Sequence, residues 1–140
     1  MTDDSEKRRE ILLALLKEVG EIKGRTRFQK MVYLGQEELG LPDSFDFSKH
    51  YYGPYSWDLT ETIERMIHEG DITESVEEFG GIIRYTYSLS EDGTTKAEGI
   101  TESFLTGAAP DTMKKLSDLP LSAILDYVYK KYLPERCEAR

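Results

Sequence analysis

Residues 56–90, SWDLTETIERMIHEGDITESVEEFGGIIRYTYSLS, decide how this chain folds. Ser56 is a capping residue, and Leu59, Ile63, Met66 and Ile67 follow it at helical spacing on one face. Gly70 closes the helix at about Glu69, because glycine takes the left-handed C-cap conformation without a steric cost. From Asp71 the apolar period changes from 3.6 to 2. Ile72 and Val76 alternate with polar residues, Gly80-Gly81 forms a turn, and Ile83, Tyr85, Tyr87 and Leu89 alternate on the return, opposite Arg84. Two glycines accept the positive φ angles of a tight hairpin turn. The segment therefore reads as a helix running into a two-stranded hairpin. Ser90 can cap a further helix to about Leu105, weakened by Gly93 and Gly99.

Upstream, Ser5 to Val19 carries the stripe Ile11, Leu12, Leu15, Leu16 and Val19, with Gly20 as its stop. Thr26 is a candidate cap for a second helix, with Phe28, Met31, Val32, Gly35 and Leu39 facing inward and Gly40 and Pro42 ending it. Asp43 to Tyr55 has no helical period; the alternation of Phe45 and Phe47 predicts a short extended piece, and Gly53-Pro54 a turn. Downstream, Gly107 to Pro110 breaks the chain, Asp111 to Ser117 forms a short helical turn, and Pro120 opens a last helix with Leu121, Ile124, Leu125, Val128 and Tyr132 as its stripe. The order is helix, helix, short strand, helix, hairpin, helix, helix. That order predicts an α+β, mainly α domain over residues 1–140. It comprises a winged-helix core at about 5–90 with the hairpin as wing, a C-terminal helical extension at about 91–133, and a frayed tail at 134–140. Leu15, Phe28, Val32, Ile63, Ile67, Tyr85, Ile124 and Val128 are the expected core.

The chain has 140 residues, 39% apolar and 32% charged, enough for a real core. No apolar run approaches the ~20 residues of a membrane helix, and the acidic start, Met1 to Glu6, is unlike a secretory signal. A single cysteine, Cys137, allows no internal disulfide, so a reducing cytoplasm is the expected setting. Catalytic and metal chemistry finds little support. His50 and His68 lack ligand spacing, Cys137 has no activating context, and Glu77-Glu78 sits in the hairpin. Neither a dinucleotide fingerprint nor a P-loop is present. A non-enzyme without metal or cofactor is the expectation.

Charge is uneven. Lys23, Arg25, Arg27 and Lys30 give four positive charges and no negative one at the start of the second helix, beside the aromatic segment with Tyr52 and Tyr55. Phosphate contact, aided by helix N-terminal N–H groups, is one use of such a cluster, and a solvated face is another. Tyrosine beside arginine is also the composition of a protein-binding hot spot. Against this, Trp57 to Glu78 holds eight acids and one arginine, a net −7 on the face that would meet DNA in a DNA-reading winged helix, in a chain of net −9. The first expectation is a regulatory module binding a protein partner. The second is a DNA-binding regulator that uses the basic patch, which a stripe continuing to Lys114, Lys115, Lys130 and Lys131 would favour. A homodimer fits either.

Two segments carry a family likeness. Phe28-Gln29-Lys30-Met31-Val32-Tyr33-Leu34 and Tyr51-Tyr52-Gly53-Pro54-Tyr55-Ser56, with the last-helix run Leu125 to Tyr132, resemble the YwgA-like proteins of bacteria and archaea. More distantly they resemble the Panacea-domain (SocA-like) antitoxins. The likeness spans about residues 8–133 and marks Phe28, Gln29, Gly53, Pro54 and Ser56 as structural motif positions. The Panacea likeness implies neutralising a toxin or adapting a client for proteolysis. The chain departs from the Panacea pattern after Pro54, where it continues Tyr55-Ser56.

Overall fold

A computed structural model describes residues 2–50 and 53–132. The architecture is α+β and mostly helical, with six helices and a three-stranded antiparallel sheet among the described residues. In chain order these are α1 (Thr2–Val19), β1 (Glu21–Lys23), α2 (Arg25–Glu38), β2 (Ser48–His50), β3 (Gly53–Tyr55), α3 (Trp57–Glu69), β4 (Ile72–Phe79), β5 (Ile82–Leu89), α4 (Glu91–Glu98), α5 (Ala109–Asp118) and α6 (Leu121–Tyr132).

The main core gathers Leu12, Leu15 and Leu16 of α1, Phe28, Met31 and Val32 of α2, Leu59 and Met66 of α3, and Tyr87 of β5, all essentially solvent-free. Leu34, Ile124 and Val128 form a second cluster that seats α6 on α2. Glu38 locks that contact, accepting from the hydroxyls of Tyr127 and Tyr132 and pairing with Lys131 at 3.0 Å. Among the described residues no helix is long and apolar enough to cross a membrane.

Several boundaries follow the local chemistry. The Ser56 hydroxyl accepts from Leu59 N at 3.1 Å, and Gly70 ends α3 at φ 92°. Gly80 and Gly81 both have positive φ at the hairpin turn, and the ladder runs in register from Ile72↔Leu89 to Phe79↔Ile82. Ser90 caps α4 through Gly93 N. That helix stops at Glu98, well short of the expected Leu105.

Other expectations are corrected. Thr26 is not a cap: α2 begins one residue earlier, after Gly24, which offers no side chain. The strand β1 has no sequence signal, being three residues long. It exists because Glu21–Lys23 pairs with Thr86–Ser88 of β5, giving the order β1-β5-β4. The extended segment becomes strand at Ser48–His50 rather than at Phe45 and Phe47, and pairs with Gly53–Tyr55. The expected short turn at Asp111 to Ser117 is a ten-residue helix. Tyr85 leaves the core list at 38% exposed, and Tyr87 takes its place at 0%. The hairpin outruns the body, so inward alternation finds a core only near its base. Ile67 is only partly buried against the core.

Candidate partner-binding face

The helix α2 organises the site through two glutamines one heptad apart. Gln29 accepts from Ser56 N at 2.9 Å and donates to Ser56 O and to Thr60 Oγ1, both at 3.0 Å. Gln36 treats Phe45 the same way, at 3.0 and 3.1 Å. Each side-chain amide brackets one backbone residue as a neighbouring strand would, satisfying polar groups that the loop has no sheet to satisfy. Between them lies Lys30, 3% exposed, donating to Pro54 O at 2.9 Å. Burial pulls its ammonium down to about 8. Gly53 leaves room for it: a Cβ there would lie 2.9 Å from Tyr129 Cε1 and 3.3 Å from Lys30 Cε. The FQK and GPYS motifs thus meet as one clasp between α2 and the start of α3.

That clasp walls a cavity of about 230 Å³ between α2 and α3, lined by Arg25, Lys30, Tyr55, Ile63 and Glu64 among others. Tyr55 donates to or accepts from Thr60 Oγ1 at 2.6 Å and packs edge-on against Trp57, centroids 4.9 Å apart. Trp57 is 66% exposed, so the single tryptophan is surface rather than core. On the other flank Arg25 donates through Nε to Tyr87 Oη at 2.6 Å and through Nη2 to Glu74 at 3.0 Å, while Tyr87 donates to Glu74 at 2.7 Å. Glu74 holds the Arg25 guanidinium protonated even more firmly than usual, against burial. Burial and the bond to Glu74 push the Tyr87 hydroxyl up. Burial would raise Glu74, but its bonds from Tyr87 and Arg25 outweigh that and hold it below the usual carboxylate value. The Arg25 guanidinium also lies 5.5 Å from the Tyr85 ring centre.

The surface continues from Arg25 onto the hairpin. Cross-strand pairs share a face, so Val76↔Tyr85 and Glu78↔Ile83 extend the Tyr87 face outward, while Phe79↔Ile82 and Glu77↔Arg84 lie on the reverse. Val76, Phe79, Ile82, Ile83 and Tyr85 are all exposed. β4 is an edge strand, and β1 covers β5 only as far as Thr86.

The six expected contact residues divide. Arg25, Lys30 and Tyr55 come together around the cavity. Lys23 is exposed nearby, 3.9 Å from Glu21. Arg27 turns away to Lys23 O and to the carbonyls of Leu116 and Leu119, where it caps the end of α5. Tyr52 lies outside the described residues, as do Tyr51 and Cys137. The four cations therefore do not form one basic face. The stripe toward the C-terminal lysines is broken as well: Lys114 pairs with Glu18, Lys130 with Asp126 and Lys131 with Glu38.

The acidic stretch is also less bare than its sequence. Asp58, Glu61, Glu64, Glu69, Asp71, Glu74 and Glu77 each lie within 4 Å of a cation. Five of those cations, Arg8, Arg9, Arg25, Arg84 and Lys96, come from outside Trp57 to Glu78 and reduce its −7 to −2. The sequence hides this because the partners are mostly distant; Arg8 is 50 residues from Asp58. The apolar hairpin has a sequence signal in the alternation of Ile83 and Tyr85, but alternation alone does not tell a core face from an exposed one. Among the described residues no group of three or more histidines, cysteines or acids is placed to hold a metal ion.

This chain is similar to the uncharacterized protein YwgA of Bacillus subtilis (strain 168), with 39% identity over 84 residues, 59% of this chain and 49% of that protein. The chain spans about half the length of this curated relative. The match carries no link to the Panacea domain. No family model matches the chain.

Proposed function

We propose that this YwgA-like chain is a non-enzymatic protein-interaction module with a winged-helix core, whose contact face runs from Trp57 and Tyr55 across Arg25 onto the β4–β5 hairpin. The order α1, β1, α2, α3, β4, β5, with β1 pairing inside the sheet, supports the winged-helix reading. One observation carries the functional reading: Val76, Ile83 and Tyr85 stand exposed together on the Tyr87 face of the hairpin, at 60%, 58% and 38%, with Phe79 and Ile82 exposed on its reverse. Soluble surfaces rarely keep such a group bare unless something covers it. Each aliphatic chain, once buried, contributes about 1.5–3 kcal/mol. Tryptophan, tyrosine and arginine beside them are the residues that dominate interface energies. DNA is the weaker partner, because the hairpin offers one cation, Arg84, already paired with Glu77, and Lys30 is buried. A regulatory or antitoxin-like role would be served by this same face.

The test replaces Val76 and Ile83 by serine together. Both side chains are exposed, so the melting temperature should hold, while partners captured from the native host by the parent chain are lost. Capture unchanged by the double substitution overturns the assignment of this face. Duplex DNA bound with sub-micromolar affinity at about 150 mM salt overturns the protein-partner reading, because non-specific binding alone is about 10⁻⁴ to 10⁻⁶ M.

A further inference from the structure

The cavity between α2 and α3 holds an ammonium, that of Lys30, which has no carboxylate within 4 Å among the described residues, although Glu64 lines the same cavity. Lys30 is only 3% exposed, and among the described residues its one hydrogen bond is to a neutral carbonyl, Pro54 O. An ammonium has three donors, so two have no partner among the described residues. Burying a cation without a counter-charge is costly, and proteins ordinarily pair or neutralise such groups. The neighbouring cation does not share the problem: Arg25 is held by Glu74 at 3.0 Å and Glu64 at 3.7 Å. The start of α2 adds a second, weaker attraction for an anion. The first turn of α2 carries no acidic residue and Gly24 supplies no side-chain cap, so no side chain of α2 itself offsets the positive end of the helix dipole.

The shape of the site limits the ligand. The cavity holds about 230 Å³, walled on its apolar side by Ile63 and Tyr55. An apolar cavity of ~150 Å³ admits benzene, so this one has room for a ring or branched chain with a charged group attached. We propose that the α2–α3 cavity binds a carboxylate carried on a small apolar body, with the carboxylate on Lys30 and the body against Ile63 and Tyr55. The carboxylate belongs either to a free organic acid or to the C-terminal residue of a chain. The shared chemistry is one negative group and one aromatic or branched side group. The site shares Tyr55 and Arg25 with the proposed contact face but does not include the hairpin.

Titration calorimetry of the full chain at pH 7 with 3-phenylpropionate and its neutral amide tests the proposal. The acid should bind at least tenfold more tightly than the amide. The Lys30→Met variant, which keeps the length of the side chain, should abolish that preference while its melting temperature stays at or above the parent's. Backbone amide mapping of the parent chain by NMR keeps the test independent of the variant's folding: acid-induced shifts should centre on Arg25, Thr26, Lys30 and Thr60. Free-acid and amidated Gly-Gly-Phe separate the two sources. A free-acid tripeptide that binds more tightly than phenylpropionate assigns the site to a chain terminus, and the reverse assigns it to a free acid. Absence of saturable binding by either acid, equal binding of acid and amide, a preference that survives Lys30→Met, or shifts centred elsewhere each overturn the proposal.

Discussion

Replacing Gln29 with leucine should loosen the junction between α2 and α3 more than any other single polar change. The side chain is 3% exposed, and it is the partner of both the N–H and the C=O of Ser56. Leucine has similar volume and buries well, so the loss is not one of packing. One buried donor, Ser56 N–H, is orphaned at about 1–3 kcal/mol, while Ser56 O keeps the backbone N–H of Thr60 at 3.2 Å and loses only a second bond, about 1 kcal/mol. Thr60 Oγ1 keeps its contact with the Tyr55 hydroxyl and adds little. The apolar gain of leucine offsets about 1 kcal/mol. The net expectation is a loss of about 1–3 kcal/mol. A chain of 140 residues has an unfolding entropy of about 0.3 kcal/mol/K, so the melting temperature should fall by roughly 3–10 °C. Thermal melts followed by circular dichroism, with urea titrations for the free energy, measure it. A drop under about 2 °C would refute the reasoning, since it would mean water or a neighbour satisfies Ser56 as well as Gln29 does.

Four further expectations follow from the same geometry. Lys30 releases its proton at about 8 in the folded state but nearer 10.5 when unfolded, so the unfolded chain binds more protons between those values and stability from this group rises with pH there, by up to about 3 kcal/mol. The parent-minus-Lys30→Met difference in urea stability should follow that curve, and a flat difference from pH 7 to 10 would contradict the buried charge. Burial would raise the Glu38 carboxyl, but bonds from Tyr132, Lys131 and Tyr127 outweigh it and hold it down, so its stabilisation is full above the ordinary carboxylate value and is lost as pH falls below it. Glu38→Gln should reduce that acid loss, measured by melts at pH 3 to 6. Gly93→Ala places a methyl 2.1 Å from Asp71 O and should cost about 1–3 kcal/mol through overpacking, read by urea midpoint. Gly53→Val combines a φ of 102° with a clash on Tyr129 and Lys30, and should destabilise by at least as much in the same titration.

The sequence by itself determined what short-range chemistry controls. The stripes of α1, α2, α3 and α6, the Ser56 and Ser90 caps, and the Gly80-Gly81 turn all depend on residues within a few positions of each other, so periodicity and capping rules reach them. It also singled out Gln29, Gly53 and Ser56, though not what they do together. Tertiary structure alone decided the rest. β1 is strand only because β5 lies beside it. Tyr85 and Tyr87 have the same alternation, and only the distance of each from the body makes one surface and the other core. Lys30 sits in a run of cations that reads as a basic face, yet its helical position turns it under Pro54 while Arg27 reaches α5. The acids of α3 and β4 read as an exposed negative patch until α1, α2 and α4 bring Arg8, Arg9, Arg25 and Lys96 against them. Charge at long sequence separation is a property of packing, and linear composition has no term for it.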